Sequence, residues 1–157
     1  MNLGQLLEPL AVLPRLRADS AEQVIRKLGE ILRQQGYVAD DFVQATLDRE
    51  QDAPTGLPLA GSVNAALPHV EPAFVLRPAV GLATLTDPVH FGHMVEKERR
   101  VPVRLVIMLA MDRPEAQVQM LQQLVEILQD PALVERIMAC ATREELLQLI
   151  QTLPGVE

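Results

Sequence analysis

The segment Val103-Arg104-Leu105-Val106-Ile107-Met108-Leu109-Ala110 decides the fold of this chain, because all but one of its residues are apolar. Near-continuous apolarity in a short run is typical of a strand that is covered on both faces. Residues 79–85 form a second run of the same kind. The two runs predict buried strands in a sheet that lies between layers of helices.

Weaker strand patterns occur at residues 12–16, 64–67 and 89–91. Helix signals lie before, between and after them. Ser20 and Gln23 form a capping box, and Gly36 is expected to end the helix that Ser20 begins. We expect Asp40 to cap a second helix that runs to about Glu50.

Three more helices are predicted in the last third of the chain. Asp112 is expected to cap the first, with Pro114 in its first turn. Asp130-Pro131 and Thr142 open the other two. Strands alternating with helices in this order indicate an α/β fold, with residues 1–157 forming one domain.

Composition excludes several classes of protein. The 157 residues carry a formal net charge of −7, whereas a dedicated nucleic-acid binder needs a basic face. The single cysteine, Cys140, excludes an intramolecular disulfide, and its apolar surroundings predict a buried structural thiol. No apolar run approaches the roughly 20 residues of a membrane span, and the first residues do not resemble a signal peptide. We therefore expect a cytoplasmic protein that does not enter the membrane.

The tripeptide Leu67-Pro68-His69 contains the main candidate for chemistry. Pro68 fixes its own φ and favours extended geometry at Leu67, so the strand would lead into an exposed and oriented histidine. A neutral imidazole is a good nucleophile near pH 7. Its second ring nitrogen would need an acceptor, usually a backbone carbonyl, to fix the tautomer.

Residues upstream of His69 are suited to hold an anion such as a phosphoryl group. The candidates are Thr55, Gly56, Ser62 and Asn64. Glycine permits close backbone approach to an anion, while hydroxyl and amide groups donate hydrogen bonds. Arg49 is the candidate for charge compensation, with Arg77 and Arg104 as alternatives.

Metal binding is the rival interpretation of the histidines. His90 and His93 are three residues apart, with His69 and Glu96 elsewhere in the sequence. That spacing would suit zinc on a helix, but the segment has the pattern of a strand end followed by a loop. No His-Glu-x-x-His motif or cysteine pair is present, so we expect no metal.

The short motifs, in their order along residues 6–153, resemble the mannitol/fructose-type enzyme IIA components of the sugar phosphotransferase system. These motifs are Gln35-Gly36-Tyr37, Leu47-Asp48-Arg49-Glu50, Thr55-Gly56-Leu57, Ala66-Leu67-Pro68-His69, Arg77-Pro78-Ala79-Val80 and Pro102-Val103-Arg104-Leu105-Val106. Ala66-Leu67-Pro68-His69-Val70-Glu71 and the segment 114–121 are most similar to the galactitol branch.

The resemblance implies a mixed β-sheet flanked by helices and a phosphocarrier. His69 would accept a phosphoryl group from phosphorylated HPr and pass it to a cysteine of a cognate enzyme IIB. That enzyme would in turn serve a membrane enzyme IIC in the uptake of a polyol such as galactitol. Arg49 would support the phosphohistidine, and no cofactor is implied.

Two questions stay open at this point. Mannitol- and fructose-type relatives carry a second histidine where this chain has Gln117, which can donate a hydrogen bond but cannot change charge. The alternative function is a regulatory module without a transport role, in which phosphorylation of His69 switches the binding of a partner.

Overall fold

The computed structural model describes residues 2–153. A 3₁₀ turn, Pro72–Phe74, lies between the third and fourth strands. The elements along the described residues are α1 (Leu3–Leu6), β1 (Leu7–Leu16), α2 (Ala21–Gln34), α3 (Phe42–Asp52), β2 (Gly56–Leu57), β3 (Ala65–Ala66), β4 (Ala79–Gly92), β5 (Arg100–Ala110), α4 (Pro114–Ile127), α5 (Pro131–Ala139) and α6 (Arg143–Gln151).

The strands form one mixed sheet in the order β1-β4-β5-β3-β2. β4 is antiparallel to β5, and β1 and β3 run parallel to β4 and β5, respectively. β4 joins two segments that the sequence predicts as separate strands, with an irregular register between Thr84 and Val89. β1 begins earlier than predicted, at Leu7, and the 64–67 segment contains the two-residue β3.

Successive residues of β5 pack against different helices. Leu105, Ile107 and Leu109 belong to the cluster that includes residues of α4, α5 and α6. Val106 and Met108 belong to the cluster on the other face, with residues of α2 and α3. This alternation confirms the expected sheet between helical layers, and it explains why nearly every residue of the strand is apolar.

Three predicted helix starts are confirmed. The side chains of Ser20, Asp130 and Thr142 each accept a backbone N–H from the first turn of α2, α5 and α6. Gly36 has a φ of +82°, and the N–H of Tyr37 donates to the carbonyl of Leu32. Local chemistry therefore sets both ends of α2, as the sequence predicts.

The other two predicted caps are wrong. The residue before α3 is Asp41, which makes no side-chain cap, and Asp40 instead lies 3.4 Å from Arg33. The N–H of Phe42 already donates to the carbonyl of Ala39, so a backbone turn takes the place of a capping side chain. Arg113 rather than Asp112 precedes α4, which begins at a proline and so has one donor fewer to satisfy.

Cys140 is 7% exposed, and its thiol donates to the carbonyl of Arg136 at 3.3 Å. Burial raises the pKa of the Cys140 thiol, so the expected structural role of this cysteine is confirmed. Among residues 2–153 there is no helix with the length and apolarity needed to cross a bilayer.

Candidate functional site

The sheet topology brings the segment around His69 next to the start of α4. β3 and β5 are parallel, with Ala66 opposite Val106, so their carboxyl ends lie at the same edge of the sheet. His69 follows β3, and α4 follows β5. The N–H of Leu109 donates to the carbonyl of Pro68 at 3.0 Å, which ties the residue before His69 to β5.

The ring of His69 has a defined tautomer. Its Nδ1 lies 2.7 Å from the carbonyl oxygen of Leu67. A carbonyl can only accept, so Nδ1 carries the proton and Nε2 keeps its lone pair in the neutral ring. The structure thus contains the backbone acceptor that the sequence analysis expects, and it leaves Nε2 as the nucleophilic nitrogen.

His69 is partly buried, not exposed as the sequence analysis expects. Removal from water lowers the pKa of His69 below its ordinary value of 6.5, and the charge of Arg49 lowers it further. The carbonyl of Leu67 and the carboxylate of Glu71 oppose this shift without reversing it. The imidazole is therefore mostly neutral at pH 7, the form that can act as a nucleophile.

Arg49 lies near the end of α3, and its Nη1 is 3.3 Å from the carboxylate of Glu71. Within the described part of the chain, its Nε is buried and has no hydrogen-bond partner. Arg49 and Glu71 both line an open groove of about 320 Å³. The charge of Arg49 is near enough to lower the pKa of His69, and its Nε has no partner among the described residues.

Arg77 and Arg104, the alternatives to Arg49, are engaged elsewhere. The guanidinium of Arg77 stacks 4.3 Å above the ring of Tyr37 and donates to the carbonyl of Gln35. Nε of Arg104 donates to the carbonyl of Leu85 at 3.1 Å.

Thr55 lies next to the histidine segment, but its hydroxyl is already used. Its carbonyl accepts the N–H of Leu67 at 3.3 Å. Its Oγ1 donates to the carboxylate of Glu50 at 2.8 Å, and its N–H donates to the same carboxylate at 2.7 Å. Since Thr55 is also 3% exposed, its side chain is a structural donor in this state of the protein.

Gly56 lies against backbone, not in an open anion cradle. A Cβ at this position would lie 2.5 Å from the carbonyl oxygen of Gly92. The carbonyl of Gly56 accepts the N–H of Met94 at 2.8 Å. The glycine is therefore needed where β2 meets the end of β4.

Ser62 and Asn64 precede β3, whereas His69 follows it. Both ends of the Asn64 amide are occupied, since Oδ1 accepts from the N–H of Leu59 and Nδ2 donates to the carbonyl of Pro102. Ser62 is exposed in a cleft shared with residues at the start of α5. The amide of Asn64 is thus used within the fold and Ser62 lies beside α5, which speaks against the phosphoryl contacts expected of both residues.

Gln117 lies one turn into α4, at the sheet edge that also carries His69. Among residues 2–153, no group hydrogen-bonds its Oε1, which is buried. An unpaired buried amide oxygen costs free energy, so the described residues leave the side chain of Gln117 incompletely satisfied.

The histidines other than His69 form no metal site among the described residues, where no group of three or more His, Cys, Asp or Glu side chains could hold an ion. His90 lies in β4 opposite Pro102, and its side chain is exposed. Nδ1 of His93 accepts the N–H groups of Val95 and Glu96, each at 3.0 Å. The segment is a strand end and a loop, as the sequence predicts.

Sequence reasoning gave no role to two carboxylates of this region. Glu71 follows His69 by two residues, and Glu50 follows Arg49 directly. Their positions beside the two main candidates were the available signal. The partner of Glu71 could not be read from the sequence, because Arg49 lies 22 positions away in the chain.

The comparisons with known proteins agree with this geometry. Residues 5–152 match the family model described as "Phosphoenolpyruvate-dependent sugar phosphotransferase system, EIIA 2". The chain is 33% identical over 115 residues to the galactitol-specific EIIA component of Escherichia coli K12, a match that covers 73% of this chain and 75% of that protein.

Two solved structures from Escherichia coli have a similar fold. One is IIA mannitol, with a TM-score of 0.73 and 31% identity, covering 92% of this chain and 98% of the other. The second is a complex of enzyme IIAMtl and phosphorylated enzyme IIBMtl, with a TM-score of 0.73, 30% identity and coverage of 92% and 96%. The chain therefore belongs to the EIIA type 2 family of the phosphoenolpyruvate-dependent sugar phosphotransferase system, and it is a phosphotransferase component that carries a phosphoryl group.

Proposed function

We propose that this protein accepts a phosphoryl group from phosphorylated HPr on Nε2 of His69 and passes it to a cysteine of a cognate enzyme IIB. The observation that carries the proposal is the 2.7 Å contact between Nδ1 of His69 and the carbonyl of Leu67. It leaves the Nε2 lone pair available on a ring that is neutral at pH 7.

The transfer from phosphorylated HPr to His69 needs no separate acid or base. The Nε2 lone pair of His69 forms a bond to phosphorus while the bond between phosphorus and the donor's imidazole nitrogen breaks, and that nitrogen keeps the electron pair. The ring of His69 then carries a positive charge shared with Nδ1–H, which the carbonyl of Leu67 stabilises. A thiolate of enzyme IIB would then attack phosphorus, and the bond between phosphorus and Nε2 would break with its electron pair returning to the ring, which leaves His69 neutral.

Arg49 is proposed to stabilise the transferred group. A phosphoryl group passing between two nitrogens needs positioning and charge compensation more than proton transfer. Arg49 has a buried Nε without a partner among residues 2–153, and its guanidinium is held by Glu71. Gln117 would add a neutral donor from α4.

The decisive experiment is incubation with phosphoenolpyruvate, enzyme I and HPr, followed by intact-mass measurement. Wild type should gain one acid-labile phosphoryl group, and His69→Ala should gain none. His90→Ala is a matched control, because it removes an exposed histidine from β4 and should be modified like wild type. An unmodified wild type beside active donors, or modification of His69→Ala, would overturn the assignment.

The cognate enzyme IIB is proposed to be of the galactitol type. The protein would act in the cytoplasm, and enzyme IIB would serve a membrane enzyme IIC in the uptake and phosphorylation of a polyol. The match to a galactitol-specific EIIA component is compatible with this choice, and the segments 66–71 and 114–121 resemble the same branch. Phosphorylated protein should discharge faster to a galactitol-type than to a mannitol-type enzyme IIB. Stable phosphorylation with no transfer to either would favour the regulatory alternative, in which the phosphorylated state controls binding of a partner.

A further inference from the structure

We infer that Glu50 is a positioning residue for His69, acting through Thr55 and the backbone of Leu67. The inference rests on the proposed role of His69. Among the described residues, Glu50 contacts neither the imidazole of His69 nor the groove beside Arg49. A chain of hydrogen bonds nevertheless links its carboxylate to the imidazole.

The first links of this chain are the contacts of the Glu50 carboxylate with Thr55. The carboxylate accepts both the N–H and the hydroxyl of Thr55, at 2.7 and 2.8 Å. Thr55 directly precedes β2, an edge strand of only two residues. A strand this short makes few hydrogen bonds to its neighbour in the sheet, so the Glu50 carboxylate is a main contact that holds the start of β2 in place.

The next link runs from Thr55 to the histidine segment. Gly56 pairs with Ala66, and in the same register the carbonyl of Thr55 accepts the N–H of Leu67. The carbonyl of Leu67 then accepts Nδ1–H of His69. The Leu67–Pro68 peptide has no N–H, so its orientation depends on such neighbouring bonds.

The consequence is that a shift of Thr55 moves the acceptor that fixes the tautomer of His69. If the Leu67 carbonyl turns away, the imidazole can also place its proton on Nε2, and Nε2 of that tautomer has no lone pair with which to attack phosphorus. Displacement of a reacting group by about 1 Å can cost on the order of a hundredfold in rate.

The test is a comparison of wild type, Glu50→Gln and Asp41→Asn in two assays. Asp41 directly precedes the same helix, is exposed and makes no side-chain cap, so Asp41→Asn is a matched loss of one carboxylate. In ¹⁵N-NMR, Glu50→Gln should lose the single Nδ1–H signature of His69, while Asp41→Asn keeps it. The rate of phosphoryl acceptance should fall about tenfold in Glu50→Gln through kcat, with KM for phosphorylated HPr little changed.

Two substitutions of Thr55 test the inference even if Glu50→Gln does not fold. Thr55→Ser retains the hydroxyl and should behave like wild type, whereas Thr55→Val should show the tautomer change. A folded Glu50→Gln or Thr55→Val with wild-type ¹⁵N shifts and acceptance rate would overturn the inference. If wild type accepts no phosphoryl group, the proposed function fails, and the NMR comparison still decides the role of Glu50.

Discussion

Nη1 of Arg49 lies 3.3 Å from the carboxylate of Glu71, two residues beyond His69. The two charges have opposite effects on the histidine, because Arg49 lowers the pKa of His69 and Glu71 raises it. A phosphoryl group on His69 would compete with Glu71 for the same guanidinium. We therefore expect the ion pair to hold Arg49 in place before transfer and to loosen when the anion arrives.

Removal of each charge should shift the pKa of His69 in a predictable direction. Arg49→Gln should raise this pKa, since a positive neighbour disfavours protonation, and Glu71→Gln should lower it. NMR titration of the His69 ring measures both shifts. Shifts of the same sign in the two variants would show that rearrangement of the segment outweighs the direct charge effect.

The Arg49→Gln and Glu71→Gln variants should also differ in their phosphoryl-transfer kinetics. Arg49→Gln should slow phosphoryl acceptance about a hundredfold, the usual scale for loss of one preorganised donor. Glu71→Gln should lengthen the lifetime of the phosphohistidine, because Arg49 is then free of its competitor. Acid-quench time courses measure both, and a shorter lifetime in Glu71→Gln would contradict this account of the pair.

Gly56→Ala should destabilise the protein by about 2 kcal/mol, because the added methyl meets the carbonyl of Gly92 and neither backbone can move freely. Gly61→Ala is the control, since its Cβ would meet only Pro131 at an ordinary 3.5 Å. Its effect should stay within about 0.5 kcal/mol. Urea unfolding of the two variants checks the difference, and equal stabilities would show that the strands adjust.

Features of the fold were predictable where they depend on residues that are close together in the sequence. The strand 103–110 and the caps at Ser20 and Thr142 depend on neighbouring residues, so their patterns are readable. Asp40 and Asp112 also have the pattern of caps. They fail because a backbone turn and a proline satisfy those helix starts first.

The site residues also differ in whether their contacts are local in the sequence. His69 and its backbone acceptor lie two residues apart, and the acceptor could be expected from general imidazole chemistry. The occupied amide of Asn64 could not be foreseen, because its partner Pro102 is 38 positions away. A hydrogen-bond donor that is near a nucleophile in the sequence is often already bonded within the fold, and only the tertiary structure shows whether it is.

Gln117→Ala should slow phosphoryl acceptance only a few-fold, because a neutral donor contributes less than the charge of Arg49. Gln117→His should restore the residue type of the mannitol- and fructose-type relatives and make the rate depend on pH near 6.5. Gln119→Ala, on an exposed position of the same helix, serves as control. Complete loss of acceptance in a folded Gln117→Ala would show that the start of α4 is essential for transfer.

Glu50 should make the stability of the protein fall as pH rises. Partial burial raises the pKa of Glu50 from 4.5 to about 7, although the Thr55 donors and the charge of Arg49 oppose the shift. Below pH 4.5 the carboxyl is protonated in both the folded and unfolded states. Between pH 4.5 and 7 the unfolded chain loses this proton first, so the folded state is progressively disfavoured, and the effect levels off above pH 7.

The difference between the two pKa values corresponds to about 3 kcal/mol. Urea unfolding of wild type and Glu50→Gln at pH 5 and pH 8 isolates this contribution, because both proteins retain His69 and its opposite pH dependence. Wild type should lose about 2.5 kcal/mol more than Glu50→Gln between the two conditions, because part of the effect is already present at pH 5. A constant stability difference would mean that Thr55 and Arg49 keep Glu50 ionised throughout, and its carboxylate would then anchor β2 equally well at every pH in this range.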